Sequence, residues 1–144
     1  MVWQDSSRVP GIKQDTDHAL MLHYGPRVRA LIGFDVQEDT IRVRQIQGAY
    51  QEKEVLPYIR EWDSMLLRVL TDLAQEVGFR QVRVQKAEDN KYWEGHSLIN
   101  SRHELLAHQK RLLRRYNESA RRNGFQLDEV GRNDFVLDLE ALVE

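Results

Sequence analysis

Apolar positions recur with a period of two in several stretches of this chain and with a period of three to four in two others, so the pattern alone sets out strands and helices. Ala19 to Tyr24 is a short, mostly apolar run, Gly25-Pro26 is a turn signal, and Val28 to Val36 is β-branched enough for a strand. Together they predict a hairpin. Thr40 to Ile46 alternates Ile41, Val43 and Gln45 on one face with Arg42 and Arg44 on the other, the signature of a half-buried strand, which Gly48 ends.

From Pro57 to Val77 the spacing changes. Trp62, Met65, Leu66, Val69, Leu70, Leu73 and Val77 recur every three or four residues while Arg60, Glu61, Arg68, Asp72 and Glu76 fall elsewhere, which predicts an amphipathic helix. Pro57 suits its first turn and Gly78 its C-terminal cap. Gln81 to Lys86 alternates again, with Val82 and Val84 opposed to Arg83 and Gln85. A loop with Tyr92, Trp93 and Gly95 leads to a second helix from about Ser101 to Asn123, with Leu105, Leu106, Leu112, Leu113, Tyr116 and Ala120 as its stripe and Gly124 as its stop. Phe135 to Leu139 alternates as a last strand. The order β, β, β, α, β, α, β, without internal repeats, predicts an α/β fold: one domain with a mixed β-sheet flanked by at least two helices. Residues 1–17 show no sustained period and are expected to form a flexible or loosely docked arm, with the domain spanning 18–144.

Composition narrows the class. With 144 residues, 41% hydrophobic, 31% charged and a net charge of -2, the chain is neither disordered, collagenous nor histone-like. It has no cysteine, which excludes disulfides, cysteine nucleophiles and cysteine-held metal clusters. No run approaches the ~18 apolar residues that span a bilayer, and the start lacks a signal-peptide pattern, so a cytoplasmic chain with no membrane partner is expected.

Several familiar motifs fail. There is no P-loop, no GxGxxG after a strand and no GxSxG elbow. His103-Glu104-Leu105-Leu106-Ala107-His108 resembles a zinc motif with one residue too many. Five steps of about 100° set the imidazoles roughly 140° apart on a helix, so they share no metal. Charge is uneven: Arg102 to Arg122 carries seven basic side chains against Glu104 and Glu118, while Asp128 to Glu144 carries six acidic ones against Arg132. Such a basic face is either a solvated surface balanced by the acidic tail or a footprint for a polyanion.

A strand ending Gln45-Ile46-Gln47-Gly48-Ala49, a long helix, a strand ending near Asn90 and a helix ending Ala120-Arg121-Arg122-Asn123-Gly124-Phe125 follow one another in this chain. In that order they resemble the core of the GCN5-related N-acetyltransferase (GNAT) superfamily, over about 85 residues. The resemblance implies an acyl-CoA N-acyltransferase-like fold. It also implies a loop after the strand whose N–H groups hold the pyrophosphate of acetyl-CoA, because convergent backbone donors at a helix start form an anion site. Gln45 and Gly48 fit the first two positions of the family's Q/R-x-x-G-x-G/A loop, whereas Tyr50 stands in place of its last small residue and Gln51 to Leu56 intervene before the helix. Asn90 fits the asparagine after the central strand. The ending resembles Y-x-x-x-G-F, whose tyrosine position is Ala120 here, with Tyr116 one turn earlier.

Carried over, the cofactor-binding residues are Gln47, Gly48, Ala49, Tyr50 and Asn90, the cofactor is acetyl-CoA, and the partners are an acyl-CoA and a small amine or protein acceptor. Glu52 and Glu54 lie beside that loop as bases or as solvated carboxylates. Two functions are expected to compete: a diverged acyl-CoA-dependent N-acyltransferase or CoA-binding relative, and a non-catalytic module of the same fold that binds a protein or nucleic acid through its basic helix. A homo-oligomer assembled through Trp3, Tyr92 or Trp93 stays open as a third.

Overall fold

The computed structural model describes residues 2–4, 8–9, 12–48, 61–130 and 134–140. Its strands are β1 (Val2–Gln4), β2 (Arg8–Val9), β3 (Ile12–Lys13), β4 (His18–Tyr24), β5 (Arg27–Gln37), β6 (Thr40–Gly48), β7 (Gln81–Val84), β8 (Gln126–Leu127) and β9 (Phe135–Asp138). Seven of them form one sheet in the order β1-β4-β5-β6-β7-β9-β8, and β2 pairs with β3 alone. Within the stretch read as an arm, Val2–Gln4 thus adds an edge strand to β4. Every pairing in the sheet is antiparallel except β6 with β7, which are joined by the crossover helix α1 (Trp62–Val77). The expected helix start at Pro57 lies outside the described residues.

The hairpin β4/β5 turns at Gly25, whose φ of 61° is a conformation that only glycine adopts cheaply. Leu20, Ala30, Ile32, Phe34, Ile41, Val43 and Ile46 from one face of the sheet join Leu66, Leu67, Leu70 and Ala74 of α1 in a single apolar cluster. Leu112, Tyr116, Ala120 and Phe125 from the second helical segment complete it. That segment runs as α2 (Arg102–Leu113), one wide π-type turn (Arg114–Glu118) and α3 (Ser119–Arg122). Gly124 (φ 85°) closes it, and Phe125 N–H returns to the Ala120 carbonyl at 3.0 Å, the 6→1 bond of a Schellman cap.

Three expectations change in detail. In α1, Leu67, Thr71 and Ala74 are buried, while Met65, Leu73 and Val77 are exposed. Apolar residues run round more of this helix than the sheet can cover, so the pattern shows an apolar helix without fixing its buried face. In β6, Gln45 does not join Ile41 and Val43. Gly33 pairs with Gln45 and Phe34 with Val43, so Arg44 is an extra residue in a β-bulge, and after it Ile46 takes the core side. Among the described residues, the acidic C-terminal stretch pairs with strand-side arginines: Asp128 and Asp134 with Arg42 and Arg83, and Glu140 with Arg80.

Candidate functional site

The parallel pair β6/β7 holds together for four residues, from Thr40 opposite Gln81 to Val43 opposite Val84, and Gln85 N–H gives a further bond to the Val43 carbonyl at 2.9 Å. Beyond that the strands part. The Arg44 bulge bends β6, which continues along β5 to Gly48, while β7 stops at Val84 and the chain turns through a 3-10 turn at Ala87–Asp89. A gap opens between them, with Ile46 on one arm and Ala87 on the other.

Two consecutive residues of the long helical segment fill this gap. In a regular α-helix neighbours project about 100° apart, so adjacent residues seldom serve one site. The π-type turn relaxes that limit, and Tyr116 and Asn117 are both buried. Ile46 N–H donates to the Tyr116 hydroxyl at 2.9 Å and Asn90 Nδ2 donates to it at 3.1 Å. The hydroxyl's own proton is directed at the Arg44 carbonyl, 3.5 Å away. On the other arm, Asn117 Oδ1 accepts from Ala87 N–H at 2.9 Å and its Nδ2 donates to Glu88 at 2.9 Å. Past the bulge, the strands are tied to the helix rather than to each other.

Burial pushes the Tyr116 phenol up to about 12, against the opposing hydrogen bonds and the nearby Arg115. A thiol titrates near 8.5, so giving this proton to a leaving thiolate is uphill by roughly 5 kcal/mol. In this geometry Tyr116 is a hydrogen-bonding group and a poor acid.

The residues singled out in the sequence are placed unequally. Asn90 reaches the gap: its Nδ2 meets Tyr116, and its Oδ1 accepts from Tyr92 N–H at 2.9 Å. Gly48 is buried at the end of β6, opposite Ala30. Gln47 is half-buried and accepts from Gln45 Nε2 at 2.8 Å, while Gln45 Oε1 accepts from Asp15 N–H at 3.0 Å. A Cβ on Gly33 would collide with Thr16 Oγ1 and crowd Gln45, so the bare glycine is what admits this polar cluster against the sheet. Ala49, Tyr50, Glu52 and Glu54 lie outside the described residues. Tyr116 is the oxygen that joins Asn90 to β6. Its place in the apolar stripe was visible in the sequence, but its neighbour in the gap, Asn117, carries no signal there, because only the π-type turn brings both residues to one side.

The start of α1 faces the same helical segment. Asp63 in its first turn is buried; burial pushes its carboxyl up, opposed by Ser64 N–H and by Arg115 and Arg114. Arg115 lies over the Trp62 ring at 5.4 Å, and Arg122 bonds Glu61 at 3.1 Å. An acidic side chain thus already complements the positive end of α1.

After Asn90 the chain docks on α2. His108 Nε2 bonds the Tyr92 carbonyl at 2.8 Å and Gln109 Nε2 donates to the Trp93 carbonyl at 3.0 Å, while His103 is exposed. His96 meets the His108 ring edge-on at 5.1 Å. Burial holds the His108 imidazole below its ordinary value; His96, Arg111 and Arg115 push the same way, and the Tyr92 bond opposes them. The unfolded chain therefore binds this proton more readily than the folded one. The stabilising contribution is complete above about pH 6.5 and is lost as pH falls below it. Amide-exchange protection at Trp93 and Gly95, whose N–H groups close the two turns of this loop, should drop between about pH 7 and pH 5. Unchanged protection over that range would remove the histidine as a latch.

No family model matches this sequence, and no curated protein matches it. Solved structures do. A protein assigned to the GNAT-family acetyltransferases from Chromobacterium violaceum is 15% identical, with a TM-score of 0.50 over 90% of this chain and 62% of that one. Another, from Desulfovibrio desulfuricans, is 13% identical with a TM-score of 0.49 over 85% of this chain and 68% of that one. The PaiA N-acetyltransferase from Thermoplasma acidophilum, solved with coenzyme A, is 11% identical with a TM-score of 0.42 and is matched over 55% of its length. The chain thus spans less than two thirds of two of these proteins. The fold is the mixed-sheet, acyl-CoA N-acyltransferase-like fold of the GNAT proteins. Among the described residues no helix is long and apolar enough to cross a membrane.

Proposed function

We propose that the protein is a divergent GNAT-superfamily member that holds an acyl-CoA-type ligand in the gap between β6 and β7, acting as an N-acyltransferase or as a CoA-binding relative. The parted parallel pair carries this reading. The Arg44 bulge and the end of β7 at Val84 leave the Ile46 amide facing a gap, where its partner is a side-chain hydroxyl rather than a neighbouring strand. This amide, now held by the Tyr116 hydroxyl beside an apolar cluster, suits the carbonyl of a thioester or of an amide-linked arm that takes the hydroxyl's place. Acetyl-CoA is the proposed cofactor. Asn90 would lie by its acyl end, Gln47, Gly48, Ala49 and Tyr50 are the proposed phosphate-binding residues, and the acceptor would be a small amine or a protein.

One observation favours a second reading. Tyr116 and Asn117 fill the gap and satisfy both of its arms, as expected of a non-catalytic module, whose binding surface would be the exposed Lys110 and Arg111 of α2 with Arg114 at the start of the π-type turn. Isothermal titration with acetyl-CoA separates the two. Gln47→Glu keeps an acceptor for Gln45 Nε2 but sets a negative charge beside the phosphates, so affinity should fall at least about tenfold with the thermal midpoint unchanged. Absence of heat from both the native protein and Tyr116→Phe would leave only the module.

A further inference from the structure

Tyr116 and Asn117 close the gap between β6 and β7 from the helical side, and residues 14–17 cross it from the other side of the sheet. This short segment between β3 and β4 lies against the face that carries Gly33 and Gln45, away from the apolar cluster. Gln14 and Thr16 are buried. Thr16 Oγ1 takes the space that a Cβ on Gly33 would need and donates to the His18 carbonyl at 2.9 Å, while Gln14 Nε2 donates to the Thr16 carbonyl at 2.9 Å.

Asp15 joins the two arms of the gap. Its N–H donates to Gln45 Oε1 at 3.0 Å and its carbonyl accepts from Arg44 Nη2 at 3.1 Å, so its backbone is fastened to the bulge that bends β6 away. Its carboxylate reaches the opposite arm, where Lys91 Nζ meets it at 2.7 Å. Lys91 is itself held in place: it follows Asn90, whose side chain spans from the Tyr116 hydroxyl to Tyr92 N–H, and its ammonium lies 4.9 Å from the centre of the Tyr92 ring. The bond to Asp15 holds the Lys91 ammonium above its ordinary value. Burial, and with it the Asp15 charge, push the Tyr116 phenol up, so the carboxylate lies within electrostatic reach of the hydroxyl inside the gap. Further along the segment, Asp17 N–H donates to Asp35 Oδ1 at 3.0 Å, and Asp35 pairs with Arg44.

Two features make the segment easy to lift. The bond that joins the arms is an ion pair open to water, with the Lys91 side chain 51% exposed. Gln14 Oε1 is buried without a partner, so the closed position leaves one acceptor unserved. We propose that residues 14–17 are a strap across the gap, latched by the Asp15–Lys91 pair, which lifts as one unit to admit a ligand and closes again over it. That the ligand is of acyl-CoA type rests on the function proposed above; the strap and its latch stand on their own contacts.

Amide hydrogen exchange on the full chain without ligand tests the strap. Lys91→Met removes the charge and keeps a long apolar side chain. Exchange should quicken about two- to fivefold, the scale of a half-exposed ion pair, at Asp15 and Asp17 together, and stay unchanged at Gln85, whose N–H bonds β6 where the strands still pair. Asp17 decides between a unit and a local pair, because its N–H bonds Asp35 and not the arm that carries Lys91. Asp15→Asn should give the same change, and the double variant no more than either. Salt at 1 M should quicken exchange in the native protein and leave the variants unmoved. A change at Asp15 alone, or at neither position, overturns the strap. Stopped-flow binding of coenzyme A then tests the gate: in Lys91→Met association and dissociation should quicken by the same factor, with Kd within about twofold of native. Slower association with weaker affinity would make Lys91 a cation for the phosphates and overturn the gate. Failure of coenzyme A to bind the native protein removes the acyl-CoA reading and its gate, while the exchange result still decides the strap.

Discussion

Asp134→Ala should cost about 3 kcal/mol in urea denaturation. Asp134 is fully buried, and its carboxylate accepts from Arg42 Nε at 3.0 Å, Arg42 Nη2 at 3.2 Å and Arg83 Nε at 3.4 Å. Arg42 and Arg83 are register partners in the parallel pair β6/β7, so two guanidinium groups stand side by side on adjacent strands. Asp134, just ahead of β9, supplies the charge between them. Asp128 takes the remaining reach of Arg83 at 2.7 Å, and its own N–H donates to the Asp134 carbonyl at 2.8 Å. Removing the buried carboxylate leaves two like charges with one counter-charge. Breaking a fully buried pair costs about 3–5 kcal/mol, and the partial exposure of both arginines, 27% and 18%, sets the expectation at the lower end. Asp134→Asn, which keeps an acceptor but no charge, should fall between the alanine variant and the native protein. A loss under about 1 kcal/mol for alanine would mean that water serves the two arginines equally well. The cluster lies on the stretch where β6 and β7 still pair, so it fixes the base from which the gap opens.

The sequence carried the order of elements because each has an apolar face of the right period. The hairpin at Gly25, the alternation of Gln81 to Val84 and the stop at Gly124 all appear where the pattern put them. What it hid were departures from strict period. One extra residue at Arg44 inverts every later side chain of β6, and alternation read straight through assigns Gln45 to the wrong face. A single wide turn in the long helical segment does the same for Asn117. Charge pairing was hidden for another reason. Local sums set the Asp128 to Glu144 stretch against the basic helix, whereas the sheet order brings β9 beside β7 and hands Asp128 and Asp134 to strand arginines. Asn90 was legible from its position after the central strand, but the oxygen linking it to β6 comes from Tyr116, 26 residues further on.

On the proposed acyl-CoA reading, Tyr116→Phe should weaken the fold and tighten the ligand together. Phenylalanine keeps the ring in the apolar cluster but removes the oxygen that serves the Ile46 amide and the Asn90 side chain. A buried donor left without an acceptor costs about 1–3 kcal/mol, which should appear as a lower thermal midpoint. In the native protein an incoming carbonyl gains only the difference between itself and the phenol as partner of that amide. In the variant it gains the full satisfaction of an orphaned donor, so acetyl-CoA affinity should rise about tenfold, since each ~1.4 kcal/mol is a factor of ten. A tyrosine acting as proton donor behaves otherwise: its loss lowers turnover and leaves binding untouched. Tighter binding in Tyr116→Phe identifies the hydroxyl as the resident occupant of the ligand's place. Binding that weakens or stays constant removes that role, because nothing else in the gap competes for the Ile46 N–H among the described residues.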